Sequence, residues 1–345
     1  MSKIFLKLKN QVLKNRIVLA PMCQYSSLDG SPSNWHHVHY GKLMNSGVGM
    51  LMIESTAINF SGRISLRDLV LCQKRQVPRY KKFVSFLKSQ NDIPIGIQLS
   101  HAGRKGSSEI PWIKKNSPLK NKGWKTYAPS AIKRSENWPI PRVLTIKEIQ
   151  KIKKEFIESV SKAEKAGFDC VEIHMAHGYL LHQFLSPISN KRKDIYGGSE
   201  KNRFKLPLEI IKEIKIKFKR LIIGCRITGS DRLKDGIDIN ESIRFTKELE
   251  KLKVEYVCVS SGGILPITNL KIKKGFNVDL SNKIKKNTKI KVRVAGKITS
   301  IKYANKIINE KKTDLVALGR ILIAEPNIIL DKDKKLIPNQ YNRSF

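Results

Sequence analysis

The chain predicts an α/β protein of the (β/α)8 TIM barrel class, a single domain that leaves the barrel once, after its third strand. Three observations carry that expectation. Its 345 residues suit one α/β barrel, a unit that runs to ~250 residues before insertions. Eight short runs rich in apolar and β-branched residues recur without polar alternation, as strands covered on both faces do. Helical patterns lie between them. No G-x-G-x-x-G follows the first run and no Walker A loop is present, so open nucleotide-binding sheets lack their fingerprint.

Taken in order, residues 1–15 are expected to cover the N-terminal end of the barrel. The first two strands are expected at 17–20 and 50–54. The third, 95–98, opens onto 105–143, too long for an ordinary connection. That segment holds Trp112, Trp124 and Trp138 among prolines and lysines, and is expected to lie as a lid over the barrel mouth. The clearest helix is 145–166: Thr145 is its N-cap, Glu148 completes a capping box and Gly167 ends it. The remaining strands are expected at 170–174, 221–226, 256–260, 291–294 and 315–318, with helices at 202–218, 238–252 and 299–310. Residues 336–345 form a tail.

Composition narrows the class. The five cysteines, Cys23, Cys72, Cys170, Cys225 and Cys258, are odd in number and form no C-x-x-C pair. That argues against a disulfide framework, a zinc knuckle or an iron–sulfur cluster, and cytoplasmic residence is the expectation. Cys170, Cys225 and Cys258 fall inside strands and read as small core residues; Cys23 stands at a strand end. No apolar stretch of ~18 residues predicts a membrane span, and no secretory signal is read. The net charge of +38 attracts phosphates, but the lysines are spread along the chain with abundant Ile and Asn, the pattern an A/T-rich coding sequence produces. Solvated helix faces account for such runs, and no specific nucleic-acid partner is expected.

In such a barrel the chemistry sits at the C-terminal ends of the strands, and unusual polar residues stand there. They are Cys23, Gln24 and Tyr25; Glu54 and Ser55; Gln98, His101 and Lys105; Glu172, His174, His177 and Tyr179; Arg226; Ser260; Gly296; and Gly319 with Arg320. Gly296 and Gly319 permit close backbone approach to a phosphate, and Arg320 adds a bidentate donor. His174 and His177 suit paired donors to one developing oxyanion, with Tyr179 as proton source; a metal site completed by Glu172 is the alternative. The Gln98 amide matches a uracil-like edge. Arg226 suits the N1/O2 side of a flavin, or an ion pair with Glu172 inside the barrel. Lys105 as a Schiff-base lysine carries little weight in so lysine-rich a chain.

These residues resemble the old yellow enzyme family of FMN-dependent ene-reductases, most closely its short bacterial thiol-containing class. The likeness runs over essentially the whole chain. It is carried by Ala20-Pro21-Met22-Cys23-Gln24-Tyr25, Gly62-Arg63-Ile64-Ser65, Gln98-Leu99-Ser100-His101-Ala102-Gly103-Arg104-Lys105 and His174-Met175-Ala176-His177-Gly178-Tyr179. Asp194-Ile195-Tyr196-Gly197-Gly198-Ser199, Ala317-Leu318-Gly319-Arg320 and Gln340-Tyr341-Asn342-Arg343 complete it. Ser100 stands where the family often has Ala.

The resemblance implies FMN in the barrel mouth and NADPH as reductant. Ala20, Pro21, Met22, Cys23, Ser55, Gln98 and Arg226 would hold the ring, and Gly296, Gly319 and Arg320 the phosphate. His174, His177 and Tyr25 would bind substrate, with Tyr179 as proton donor. The implied reaction is ping-pong reduction of the C=C bond of α,β-unsaturated carbonyl compounds (enones), with hydride passing through flavin N5. The resemblance further implies a homodimer or homotetramer in which Arg343 enters the neighbouring subunit's site. A tRNA dihydrouridine synthase-like flavin reductase and a metal-dependent barrel hydrolase are the alternative readings.

Overall fold

The computed structural model describes residues 5–266, 272–341 and 343. Its centre is a closed parallel barrel of eight strands. These are β1 (Ile17–Leu19), β2 (Met50–Ala57), β3 (Ile95–Ser100), β4 (Cys170–Met175), β5 (Ile222–Thr228), β6 (Tyr256–Ser260), β7 (Lys291–Val294) and β8 (Leu315–Leu318). Each bonds to the next, and β8 closes onto β1. A helix follows each strand: α1 (Asn34–Met44), α2 (Val77–Gln90), α3 (Ile146–Lys165), α4 (Glu200–Lys217), α5 (Ile239–Lys251), α6 (Val278–Asn287), α7 (Ile301–Asn309) and the short α8 (Arg320–Ala324). The chain is therefore a (β/α)8 TIM barrel.

The apolar stripe of each helix packs on the outer face of the sheet. Phe83, Phe156, Ile211, Leu249 and Ile307 all lie in that layer. Burying both faces of the sheet is why its strands read as unbroken apolar runs. α3 begins as its sequence dictates: the Thr145 hydroxyl accepts from the Glu148 backbone N–H, and the Glu148 carboxylate accepts from the Thr145 N–H at 2.9 Å. Apolar periodicity singles out α3, α4, α5 and α7 and passes over α1, α2 and α6. In α1 the buried face is His36 and Tyr40 as well as Leu43 and Met44, so a hydrophobic pattern finds little there.

A two-stranded hairpin, Leu6–Leu8 with Gln11–Leu13, lies at the N-terminal end. Its Leu6, Leu8 and Leu13 enter the barrel and meet Met50, Met52 and Leu315. At the opposite end the excursion after β3 carries a short helix, Pro111–Lys114, and a ribbon pairing Tyr127–Ala128 with Arg142–Val143. It is tied back by the Trp124 indole N–H to the Ser61 carbonyl (2.9 Å) and by Arg104 to the Ile132 carbonyl (3.0 Å).

Candidate active site

Parallel register decides which side chains meet at the rim. Ser55 lies beside Gln98, Gln98 beside Glu172, and His174 beside Arg226 on the adjoining strands. A bulge in β2 between Ile53 and Ser55 re-aims the end of that strand.

The end of β4 and the loop after it set the histidines. His177 adopts a left-handed backbone with φ of 58°. Gly178 (φ 72°) follows it, and a side chain there would drive a Cβ to 2.1 Å from the Gly263 carbonyl oxygen. The loops after β4 and β6 thus touch backbone to backbone, which only glycine permits. His174 Nδ1 accepts from the Ala176 N–H at 3.2 Å, so the proton of the neutral ring sits on Nε2. That Nε2 lies 3.3 Å from His177 Nδ1, and His177 Nε2 lies 2.5 Å from the Ser260 hydroxyl. Ser260 can donate or accept, so it supports His177 in either tautomer. Tyr179 stands edge-on to His174, with ring centroids 4.8 Å apart.

Burial above all, then the positive charges of Arg226 and Lys105, hold both imidazoles well below their ordinary pKa. They are neutral at physiological pH. Burial likewise pushes the Tyr179 phenol up, so it keeps its proton. The Cys23 thiol is pushed well up by burial and by the nearby carboxylates of Glu54 and Asp68, and is a neutral thiol rather than a thiolate nucleophile. Tyr25, in a left-handed conformation with φ of 48°, meets Trp112 of the excursion edge-on at 5.8 Å.

Beneath this rim lies a network that sequence reasoning missed. Glu172 and Arg293 are both 0 % exposed and form an ion pair inside the barrel. Gln98 Nε2 and the Tyr256 hydroxyl also donate to Glu172, at 2.7 and 3.0 Å. The pairing of Glu172 with Arg226, one of two readings of that arginine, is therefore corrected: Arg293 takes the carboxylate. Its signal was a lone arginine in an otherwise apolar strand end, Val292-Arg293-Val294, hidden by the lysine-rich background. With Glu172 so occupied, the metal triad of His174, His177 and Glu172 does not assemble. Among the described residues no cluster of three or more His, Cys, Asp or Glu side chains could hold a metal.

The rim suits a planar flavin with a phosphate tail. Arg226 Nε is buried with no hydrogen-bond partner among the described residues, an orphan donor awaiting an acceptor. Because a carboxylate only accepts, Glu172 fixes the Gln98 amide with its NH2 inward, which leaves Oε1 free to accept a ring N–H. Gly319 caps α8 with its would-be Cβ 3.0 Å from the Met22 sulfur and 3.7 Å from the Ala20 Cβ. The β1 loop and the candidate phosphate loop are thus in contact. Arg320 is exposed at the start of α8.

A parallel barrel whose C-terminal rim carries an arginine unpartnered among the described residues fits a flavin-dependent oxidoreductase. The profile of the NADH:flavin oxidoreductase / NADH oxidase family matches residues 4–339, and the chain belongs to that family, the old yellow enzyme family. It is 37% identical to an NADPH dehydrogenase of Listeria monocytogenes over 354 residues, covering 100% of both chains. It is 35% identical to an NADPH dehydrogenase of Bacillus velezensis, over 98% of this chain and 97% of that one. Among solved structures it resembles morphinone reductase, with a TM-score of 0.79 and 24% identity over 94% of this chain and 87% of the other. The cofactor is FMN and the reductant NADPH. No helix among the described residues is long and apolar enough to cross a membrane.

Proposed function

We propose that this NADPH dehydrogenase is an ene-reductase acting on α,β-unsaturated carbonyl compounds by a ping-pong cycle. The observation that carries the reading is the pair of neutral histidines whose facing nitrogens, His174 Nε2 and His177 Nδ1, lie 3.3 Å apart. A carbonyl oxygen entering between them would receive both ring N–H groups, because Ser260 lets His177 move its proton to Nδ1. Two donors fixed in advance stabilise the negative charge that grows on that oxygen. Tyr179, protonated and beside His174, would protonate the α-carbon. Tyr25 bounds the other side.

Ala20, Pro21, Met22, Cys23, Ser55, Gln98 and Arg226 are the residues we assign to the flavin ring, and Gly296, Gly319 and Arg320 to its phosphate. FMN, when bound, supplies the hydride relay from NADPH to the substrate β-carbon. Initial rates at several NADPH and 2-cyclohexen-1-one concentrations test the cycle. Parallel double-reciprocal lines are expected; intersecting lines would refute it.

The tail belongs to the same reading. Arg343 is exposed and Tyr341 is 44% exposed, so Tyr341 does not bury itself on its own barrel. Asn342, Ser344 and Phe345 lie outside the described residues. We assign Arg343 to the site of a neighbouring subunit in a homo-oligomer. Mixing Arg343→Ala with His174→Ala chains should restore activity in mixed assemblies; no recovery despite proven subunit exchange overturns the assignment.

A further inference from the structure

Lys105 is a partly buried lysine on the turn that leaves β3, and the reading above gives it no task. Its Nζ donates to the His177 carbonyl oxygen at 2.6 Å and lies over the Tyr179 ring, 4.9 Å from the centroid. It therefore touches both halves of the proposed machinery, holding His177 at its left-handed backbone and setting a cation on the face of the proton donor. The charged and titratable groups around this lysine–tyrosine pair are Arg104 on the lysine's own turn, Arg134 from the excursion, His174 at the end of β4, His177 in the loop that follows, and, acting on Tyr179, Arg226, the Cys23 thiol and Asp68, whose carboxyl burial raises to about 7. Among the described residues no carboxylate pairs with Lys105 at ion-pair distance.

We propose that Lys105 is a positioning residue that sets the acid strength of Tyr179, favouring release of the phenolic proton while its ammonium is charged. The inference rests on the ene-reductase reading. The step balances simply. The Tyr179 O–H bond breaks as the proton goes to the substrate α-carbon, hydride from the reduced cofactor goes to the β-carbon, and the phenolate regains a proton from solvent. Lys105 keeps its own proton throughout. A cation over the ring stabilises the phenolate more than the phenol, and exclusion from water strengthens the effect. Burial first, then Arg134 and Arg104, lowers the lysine to about 7. The charged form is present below that pH and is lost above it, so the benefit fades as pH rises through neutrality.

Two readouts on the FMN-loaded enzyme test this. In ¹³Cζ-tyrosine NMR the Tyr179 signal, assigned with Tyr179→Phe, should shift between pH 6 and 8 in an Asp68→Asn chain, which lacks the other group titrating at about 7, and stay constant in Asp68→Asn/Lys105→Met. In anaerobic stopped flow, reoxidation of the NADPH-reduced parent by 2-cyclohexen-1-one should slow as pH rises through about 7. The inflection should persist in Asp68→Asn, and adding Lys105→Met to that chain should slow the step by about tenfold at pH 6 and remove the inflection. Lys105→Arg should keep the low-pH rate and extend it to higher pH. A uniform loss at every pH, or an unmoved NMR titration, assigns Lys105 a structural role and overturns the proposal. A parent enzyme that no enone reoxidises overturns the ene-reductase reading itself.

Discussion

The two ends of the barrel interior treat polar groups in opposite ways. In the middle and towards the N-terminal end, charge meets countercharge, with Arg293 Nε left unpartnered among the described residues. Glu172 receives Gln98, Tyr256 and Arg293, and below it Leu6, Leu8 and Leu13 of the hairpin join Met50 and Met52. At the C-terminal rim polarity is left open. Arg226 has no countercharge at ion-pair distance and its Nε has no partner among the described residues, while two neutral imidazoles share a hydrogen bond across 3.3 Å that an entering acceptor could replace. The difference teaches where the fold holds itself together and where it is prepared for something else. Buried polar groups without partners cost about 1–3 kcal/mol each, and a bound ligand that satisfies them recovers that cost.

Breaking the closed end should have the largest effect. Arg293→Met leaves the Glu172 carboxylate buried and uncompensated, so urea unfolding should show a loss of about 3–5 kcal/mol. A loss below about 1 kcal/mol would erase the contrast between the two ends. Next come His174→Ala and His177→Ala at the open end. Each should slow enone-driven flavin reoxidation by about 2.7–4 kcal/mol of transition-state stabilisation, with FMN content and unfolding midpoint nearly unchanged. If either variant unfolds as readily as Arg293→Met, the rim is structural as well. The smallest effect is expected for Arg320→Ala. Loss of one charged donor should weaken FMN binding by about 1.5–3 kcal/mol, read by ultrafiltration, with little change in the rate of the loaded enzyme.

The rim residues were legible because chemistry interrupts pattern there. His174 stands at the end of β4, and His177 and Tyr179 in the loop after it, where no apolar period accounts for them, and the barrel's topology supplies the rest. The closed network was illegible for the opposite reason. Glu172 and Arg293 stand 121 residues apart, and each looks alone like an ordinary strand charge in a chain of net charge +38. Only the register that sets Gln98 beside Glu172 and Cys258 beside Arg293 brings them together. α1 was hidden because its buried face is aromatic and polar: His36 and Tyr40 approach Glu54, each at 3.3 Å. The seating of Trp112 on Tyr25 was equally invisible, since loop contacts leave no periodic trace.

One anaerobic titration tests the central claim that the open rim polarises an enone carbonyl. The purified protein is first bleached with one equivalent of NADPH, and 2-cyclohexen-1-one is then added. The account predicts that one equivalent restores the flavin spectrum and yields cyclohexanone, and that His174→Ala, equally bleached, recovers far more slowly. A flavin that stays reduced until oxygen is admitted, or one that recovers at the same rate without His174, would contradict it.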